Sequence, residues 1–325
     1  MPEISVVIPT YKRPDLLSSC LMHLEQQTIE KHLFEVIVVS DGEDTLTAEV
    51  VQAFQNLSQL NIRYLNTQGK KGPAAARNVG WQSASKNVQL IAFTDDDCQP
   101  DKDWLSSFYD RFEPGTAIAY SGFTLVPIEE EPTDYALNTH GLQFADFITA
   151  NCAISIQALK LSGGFDERYE TAWREDSDLE FTLEKIKVPI VKVNEAVVVH
   201  PVRENVPWGV SIKEHKKGQF DALLYKKFPD QYRNRLSPDI IYPYYFIVLT
   251  DFICLIALLS GWWYIAAVTF LVVFIMISAL FRKRIKRTRK TLSHIWEMWV
   301  TSMVLPFVSV YWRIYGSIKF RVLFI

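Results

Sequence analysis

The sequence predicts an α/β fold with a mostly parallel sheet, followed by apolar helices at the C-terminal end. Two observations carry this expectation. Short β-branched runs alternate with helix-length segments through the first half of the chain, and the 42 residues from Ile240 to Phe281 carry a single charge, Asp251. Strands alternating with helices indicate a parallel sheet covered on both faces, whose strands read as continuous apolar runs.

Taken in order, Ile4-Ser5-Val6-Val7-Ile8-Pro9 is the first strand, and Leu16, Leu17, Cys20, Leu21 and Leu24 follow at helical spacing. Phe34–Val39 is a second strand ending on Ser40-Asp41-Gly42, and Asn61–Leu65 is a third. Gly72-Pro73 opens a helix that runs to about Ser83. Val88–Phe93 is a fourth strand, ending at Thr94-Asp95-Asp96-Asp97. Ligands of such sheets bind beyond the carboxyl ends of the strands, which is where Pro9-Thr10-Tyr11, Ser40-Asp41-Gly42 and Asp95-Asp96-Asp97 fall. The chain has no G-x-G-x-x-G and no Walker A run. A phosphate bound here is therefore neutralised by a metal or by scattered basic groups.

Three adjacent aspartates repel one another unless a cation is present. In an extended segment Asp95 and Asp97 share a face and can converge on one Mg²⁺ or Mn²⁺, hard ions that take oxygen ligands and substrate phosphates. Glu175-Asp176-Ser177-Asp178 heads a second helix, with more carboxylates than capping requires. Asp176 or Glu175 can act as a general base if the fold brings this loop to the metal. Lys70, Lys71 and Arg77 flank Gly72-Pro73 and are candidates for contacts to phosphate or a base edge. His200 ends the run Ala196–Val199, with Arg203 shortly after.

The tail reads as membrane. A single helix over residues 240–281 would be about 63 Å long, roughly twice the hydrocarbon thickness. Ser260-Gly261 instead divides it into spans at about 243–259 and 262–281, with Tyr242, Tyr244, Tyr245, Trp262 and Trp263 as an aromatic belt. Asp251, near the middle of the first span, calls for a polar partner or a functional role, or marks a tilted, partly inserted segment. Arg282 to Lys290 holds seven basic residues in nine, and the positive-inside rule places this block, and with it the N-terminal domain, in the cytoplasm. Residues 292–312 are apolar but contain Glu297 and Pro306, which points to an interfacial helix or a third span. Residues 208–237 place Ile212, Phe220, Leu223, Leu224 and Phe228 at helical spacing among lysines, as a basic amphipathic linker helix that suits an anionic membrane surface or equally a packing helix of the catalytic domain.

Net charge divides the same way, at −11 for residues 1–239 and +8 for residues 240–325. An acidic head on a basic apolar tail argues against nucleic-acid binding and for a domain tied to a membrane. Four isolated cysteines exclude a disulfide scaffold or zinc ribbon and fit a reducing compartment. The expected organisation is a catalytic domain at 1–207, a linker helix at 208–239 and a membrane domain at 240–325.

The ordered motifs Ser5-Val6-Val7-Ile8-Pro9-Thr10-Tyr11, Ser40-Asp41-Gly42, Gly72-Pro73-Ala74-Ala75-Ala76-Arg77-Asn78, Asp95-Asp96-Asp97, Gly163-Gly164-Phe165-Asp166 and Glu175-Asp176-Ser177-Asp178-Leu179 resemble the family 2 glycosyltransferases over roughly residues 3–205. The resemblance implies the GT-A fold, a Rossmann-like nucleotide-sugar-binding domain with a D-x-D motif and a divalent metal. It implies that Asp41 and Arg77 bind the nucleotide base, with Pro9, Thr10 and Tyr11 lining its pocket. It places Asp95 near the ribose and metal and makes Asp97 the direct metal ligand. Asp176 becomes the catalytic base with Glu175 beside it, His200 a further metal ligand and Arg203 a diphosphate clamp.

Two features depart from the family pattern. Asp41 is the only carboxylate of the second-strand motif, and the Q-x-x-R-W motif of processive members is absent. The resulting expectation is an inverting, metal-dependent enzyme moving a sugar from a nucleotide-sugar donor to a lipid, lipid-linked or glycan acceptor at the cytoplasmic face of the inner or plasma membrane. A polyprenyl-phosphate sugar synthase is the near alternative. A membrane-bound nucleotidyltransferase and a non-catalytic scaffold are the distant ones.

Overall fold

The computed structural model describes residues 1–236 and 242–324. The described residues fall into two compact units, one of residues 1–127 and 140–202, the other of residues 128–139 and 203–325.

The first unit is built on a mixed sheet in the order β3-β2-β1-β4-β7-β6-β8-β5. Its strands are β1 (Ile4–Thr10), β2 (Phe34–Ser40), β3 (Ile62–Asn66), β4 (Leu90–Thr94), β5 (Gln99–Pro100), β6 (Ala119–Leu125), β7 (Asn151–Ser155) and β8 (Ile190–Val199). Strands β1 to β4 are mutually parallel, β7 runs antiparallel to β4 and β6, and β8 is parallel to β6. The helices, in chain order, are α1 (Pro14–Glu25), α2 (Thr45–Leu57), α3 (Pro73–Gln82), α4 (Trp104–Tyr109), α5 (Asp134–His140, whose residues 134–139 belong to the second unit), α6 (Ile156–Ser162) and α7 (Glu175–Lys185).

Strands β1, β2 and β4 are buried along their whole length, because each face of the sheet has its own apolar cover. Ile4, Val6 and Ile8 pack with Leu17, Leu21 and Leu24 of α1, while Val7, Ile91 and Phe93 pack with Phe165, Leu179 and Leu183. Pro14 and Pro73 open α1 and α3 at the first helical position, where a missing N–H costs nothing. Asp44 caps α2, accepting from Thr47 N, and Ser155 caps α6, accepting from Ala158 N.

Between Gly122 and Phe123 the β6–β8 register shifts, so residues 194–196 bulge from β8. Asn151 repairs the break: its Nδ2 donates to Phe123 O and Ala196 O, and its Oδ1 accepts from Trp104 Nε1 at 2.8 Å. Beyond the bulge β8 continues to its short antiparallel pairing with β5, Gln99 opposite Val199.

The second unit contains α8 (Val210–Glu214), α9 (Gln219–Lys227), α10 (Pro229–Gln231), α11 (Tyr242–Leu259), α12 (Trp263–Ile285) and α13 (Leu292–Lys319). Helices α11 and α12, with mean hydropathy 1.8 and 2.6, are long and apolar enough to cross a membrane. The break between them falls at Ser260-Gly261, as expected: Gly261 takes a left-handed φ of 74° and Trp262 N closes the end of α11 on Ala257 O.

Residues 208–239 are not one linker helix. The described part is α8, a 3₁₀ turn, α9, α10 and a π-helical turn, with Pro229 ending the longer stretch. The apolar face of α9 is a packing face, since Phe220, Leu223 and Leu224 are fully buried and α9 lies against α13, with the Phe220 and Phe320 rings 6.2 Å apart. The expected start of the membrane domain at Ile240 lies outside the described residues. Residues 128–139 belong with the second unit, which resumes at Arg203.

Arg284 explains why residues 128–139 belong there. The sequence presents it as one of seven solvated basic residues, yet its side chain is 11% exposed. Nη2 donates to Asp134 Oδ2 at 2.7 Å and to Ser211 Oγ, and Nη1 to Thr301 Oγ1 at 2.7 Å and Ser302 Oγ. Arg289 N adds a bond to Pro132 O. Hydrogen bonds to a charged group contribute about 1.5–3 kcal/mol. Arg284→Ala is therefore expected to lower the melting temperature in detergent and to open residues 128–139 to limited proteolysis. An unchanged digestion pattern would show that the segment is held by something else.

Candidate active site

The site gathers at the carboxyl ends of β1, β2 and β4 together with the N-terminus of α7. Past β4 the chain turns through Asp95-Asp96-Asp97, with Cys98 N donating to Asp95 O, and each aspartate acquires its own environment. Asp95 remains partly exposed and accepts from Arg77 Nη2 at 2.7 Å. Asp96 is buried and accepts from Thr10 Oγ1 at 2.7 Å and Arg13 Nη1 at 3.1 Å. Burial pushes the Asp96 carboxyl up to about 6, against the pull of Arg13. Asp97 is buried too, with Arg13 Nη1 3.4 Å from Oδ2 and His200 Nε2 3.7 Å from Oδ1.

The meeting of Asp97 with His200 depends on the sheet. His200 is the residue after β8, whose end is paired to β5, and β5 begins two residues after Asp97. A two-residue ladder thus closes a loop of about a hundred residues. Asp97, Cys98 and His200 bring one donor atom each within 4.8 Å of one another. Burial, and then the neighbouring aspartates, push the Cys98 thiol well above its usual value, and a soft sulfur ligand is a poor match for Mn²⁺ or Mg²⁺. The fitting donors are a carboxylate oxygen and an imidazole nitrogen, a set that suits Mn²⁺ or Mg²⁺ alongside phosphate oxygens. Asp95 lies outside this cluster, turned to Arg77.

Arg77 is the hinge of the site. It sits on α3, 2% exposed, with Nη1 3.1 Å from Glu175 Oε1 and Nη2 on Asp95. Desolvation disfavours its charge, but the two carboxylates more than offset this and raise its pKa above the usual arginine value. One guanidinium thereby joins the acid turn after β4 to the acidic start of α7, two motifs eighty residues apart.

Helix α7 begins after Arg174, which takes a left-handed φ of 74° and gives no side-chain cap. Its first turn instead holds Glu175, Asp176 and Asp178, carboxylates favoured there by the helix dipole. Glu175 is buried, and its Oε2 has no hydrogen-bond partner among the described residues. Asp176 is half-buried, with Oδ1 accepting from Ser177 N at 2.8 Å. Burial raises the proton affinity of both groups, and for Glu175 the Asp176 charge adds to it. Asp178 is buried and accepts from Tyr169 Oη at 3.1 Å, a structural contact.

Asp41 has an occupation the sequence does not reveal. Its Oδ1 accepts from Lys71 N at 2.6 Å, Gly72 N at 2.9 Å and Thr67 Oγ1 at 3.3 Å, so it ties down the loop before α3. Gly72, at φ 94°, is needed in that loop because a Cβ there would collide with the backbone of Glu170. Pro9 is buried in β1, and the half-buried Tyr11 ring carries the Lys70 ammonium 4.0 Å from its centroid and that of Lys12 at 5.6 Å. Arg203 opens the second unit.

Of the residues expected to form the site, the structure joins Thr10 to the acid turn, Arg77 to Asp95 and Glu175, and Asp97 to His200. Sequence reasoning missed Arg13, Cys98 and Asn151. Arg13 is one basic residue among many on a helix start, Cys98 reads as core, and the role of Asn151 exists only in the bulge.

Against known proteins, the profile described as glycosyl transferase family 2 matches residues 5–167. Glycosyltransferase AglE of Haloferax volcanii is 34% identical over 105 residues, covering 32% of this chain and 34% of that protein. The GalNAc(5)-diNAcBac-PP-undecaprenol beta-1,3-glucosyltransferase of Campylobacter jejuni is 31% identical over 120 residues, 37% of this chain and 38% of that one. The chain thus matches little more than a third of the length of these relatives. Among solved structures, the mannosyltransferase PcManGT of Pyrobaculum calidifontis, in complex with GDP-Man and Mn²⁺, superposes with a TM-score of 0.55 at 16% identity, over 98% of this chain and 87% of that one. That likeness establishes the GT-A-like fold. With a family profile matched across half its length, on the fold and acid motifs described, the chain belongs to glycosyl transferase family 2.

Proposed function

We propose that this family 2 member is an inverting, metal-dependent transferase that moves a sugar from a nucleotide-sugar donor to a lipid, lipid-linked or glycan acceptor at the cytoplasmic membrane face. The observation that carries the reading is the Arg77 bridge, which sets Asp95 of the donor-side acid turn and Glu175, beside Asp176, on one guanidinium.

The division of labour follows from the chemistry of each group. Asp97 and His200 would hold the divalent ion, which neutralises the diphosphate. Tyr11, flanked by two lysines, offers a face and positive charge to the nucleotide, and Asp41 keeps the loop before α3 in shape for it. Asp176, its proton affinity raised by burial, accepts the proton of the acceptor hydroxyl as that oxygen attacks the anomeric carbon from the face opposite the leaving nucleotide. Attack from that side inverts the configuration.

The membrane half of the proposal rests on α11, α12 and the basic residues that follow them. The lipid-linked acceptor named for the Campylobacter relative points the same way.

The test is calorimetric titration of the detergent-purified chain with UDP and GDP, with and without Mn²⁺. One nucleotide is expected to bind only with Mn²⁺ present, and Asp97→Ala is expected to abolish that binding. Absence of binding to either nucleotide under every condition would sink the enzyme reading in favour of a scaffold that keeps a degenerate donor domain. Pyrophosphate release during turnover, in place of a nucleoside diphosphate, would point to nucleotidyl transfer instead.

A further inference from the structure

We infer that Arg13 is the positioning residue of the metal site: one of its nitrogens spans Oδ1 of Asp96 and Oδ2 of Asp97 and so fixes the carboxylate whose Oδ1 faces His200. The inference rests on the metal reading proposed above and concerns a residue that neither the acid motifs nor the Arg77 bridge includes.

The argument begins with the turn after β1. Lys12 takes a left-handed φ of 54°, rare for a residue with a side chain, and its N–H donates to Asp44 Oδ2 at 3.0 Å. Arg13 then sits at the N-cap of α1, and its carbonyl accepts from Leu17 N at 3.1 Å. This strained turn brings its guanidinium to the end of β4. A single nitrogen, Nη1, lies 3.1 Å from Asp96 Oδ1 and 3.4 Å from Asp97 Oδ2.

The assignment of oxygens decides between two roles. A cation that competed with the metal would lie on the oxygen that the metal needs. Here the two oxygens of Asp97 are divided, Oδ2 toward Arg13 and Oδ1 toward His200 Nε2 at 3.7 Å. Asp96 has a partner on each oxygen, Thr10 Oγ1 on Oδ2 and the same Arg13 nitrogen on Oδ1, so the guanidinium is anchored on the neighbouring aspartate. Partners that hydrogen-bond a metal-ligating carboxylate orient it, and their loss typically costs about 10–100-fold in metal affinity.

The measurement is Mn²⁺ binding to the full-length, detergent-purified chain, followed by the electron paramagnetic resonance of free Mn²⁺, for the wild type, Arg13→Ala and Arg13→Lys. Arg13→Ala is expected to weaken Mn²⁺ binding by about 10–100-fold. Arg13→Lys is expected to recover part of that loss, since lysine keeps the charge but not the planar group. The melting temperature and the limited-proteolysis pattern are expected to stay near wild-type values, which a collapsed loop would not allow. If Arg13→Ala does not fold, weakened Mn²⁺ binding in Arg13→Lys carries the test alone.

Mn²⁺ binding as tight as or tighter than wild type in the folded variants overturns the inference and makes Arg13 a competing counter-charge. A wild-type chain that binds no Mn²⁺, with UDP or GDP present or absent, overturns the metal reading itself and this inference with it.

Discussion

Asp176→Asn is expected to reduce turnover by about 10²–10⁴-fold with nucleotide binding unchanged, the range that general-base catalysis supplies. The substitution keeps the size of the side chain and an oxygen able to accept from Ser177 N at the start of α7. What it removes is the ability to take a proton, so the loss belongs in kcat rather than in donor affinity. The size of the effect also reports on the acceptor. A hydroxyl must be deprotonated as it attacks, whereas a phosphate oxygen is already anionic near neutral pH. Transfer to a polyprenyl phosphate would therefore survive Asp176→Asn within a few-fold. Donor hydrolysis and transfer measured side by side, with membrane lipid extract as acceptor, separate the two cases. Full activity toward a hydroxyl acceptor would remove Asp176 from the mechanism.

Arg77→Met is expected to be the most damaging single change for the stability of the first unit, at about 3–5 kcal/mol, because it strips the counter-ion from a buried carboxylate. Arg77 and Glu175 are both almost inaccessible, and one Glu175 oxygen already has no hydrogen-bond partner among the described residues. Asp95, whose side chain is 28% exposed, can fall back on water and contributes less. The strain should therefore sit mainly in the Arg77–Glu175 pair. Arg77→Met combined with Glu175→Gln is expected to regain much of the loss, since a neutral amide replaces the orphaned charge. Urea unfolding of the two variants and of Glu175→Gln alone provides the cycle. A loss under 1 kcal/mol for Arg77→Met would show that Glu175 simply takes up a proton when its partner is gone. Activity is expected to fall in both variants, because Arg77 also fixes Asp95.

The second unit shows how one local pattern can hide two roles. Arg282 to Lys290 was legible as a basic block, and charge alone carried its topological meaning. Nothing in that run distinguishes Arg284 from its neighbours. It turns inward because helix geometry aims it at Thr301 and Ser302 of α13, and because Asp134, 150 residues earlier, is there to meet it. In the same way, the lysine-flanked apolar face of α9 suits a membrane surface and a packed core equally until α13 is seen to cover it.

The sequence by itself determined the strands β1 to β4, the helix after Gly72-Pro73, the break at Gly261 and the family. Each of these is written in neighbouring residues: buried parallel strands are continuous apolar runs, and proline, glycine and capping side chains act within a turn of where they stand. It also placed the acid clusters at strand and helix ends, where charge is tolerated. Only the tertiary structure decided which charges meet. Asp97 reaches His200 through the β5–β8 ladder, Asp95 reaches Glu175 through Arg77, and Asp41 spends its carboxylate on the amides of Lys71 and Gly72. Such pairings cross many tens of residues, and their energies depend on burial and on distances of a few ångströms. Local sequence fixes neither, so the contacts of Arg13, Arg77 and His200 come into view only once the sheet is assembled.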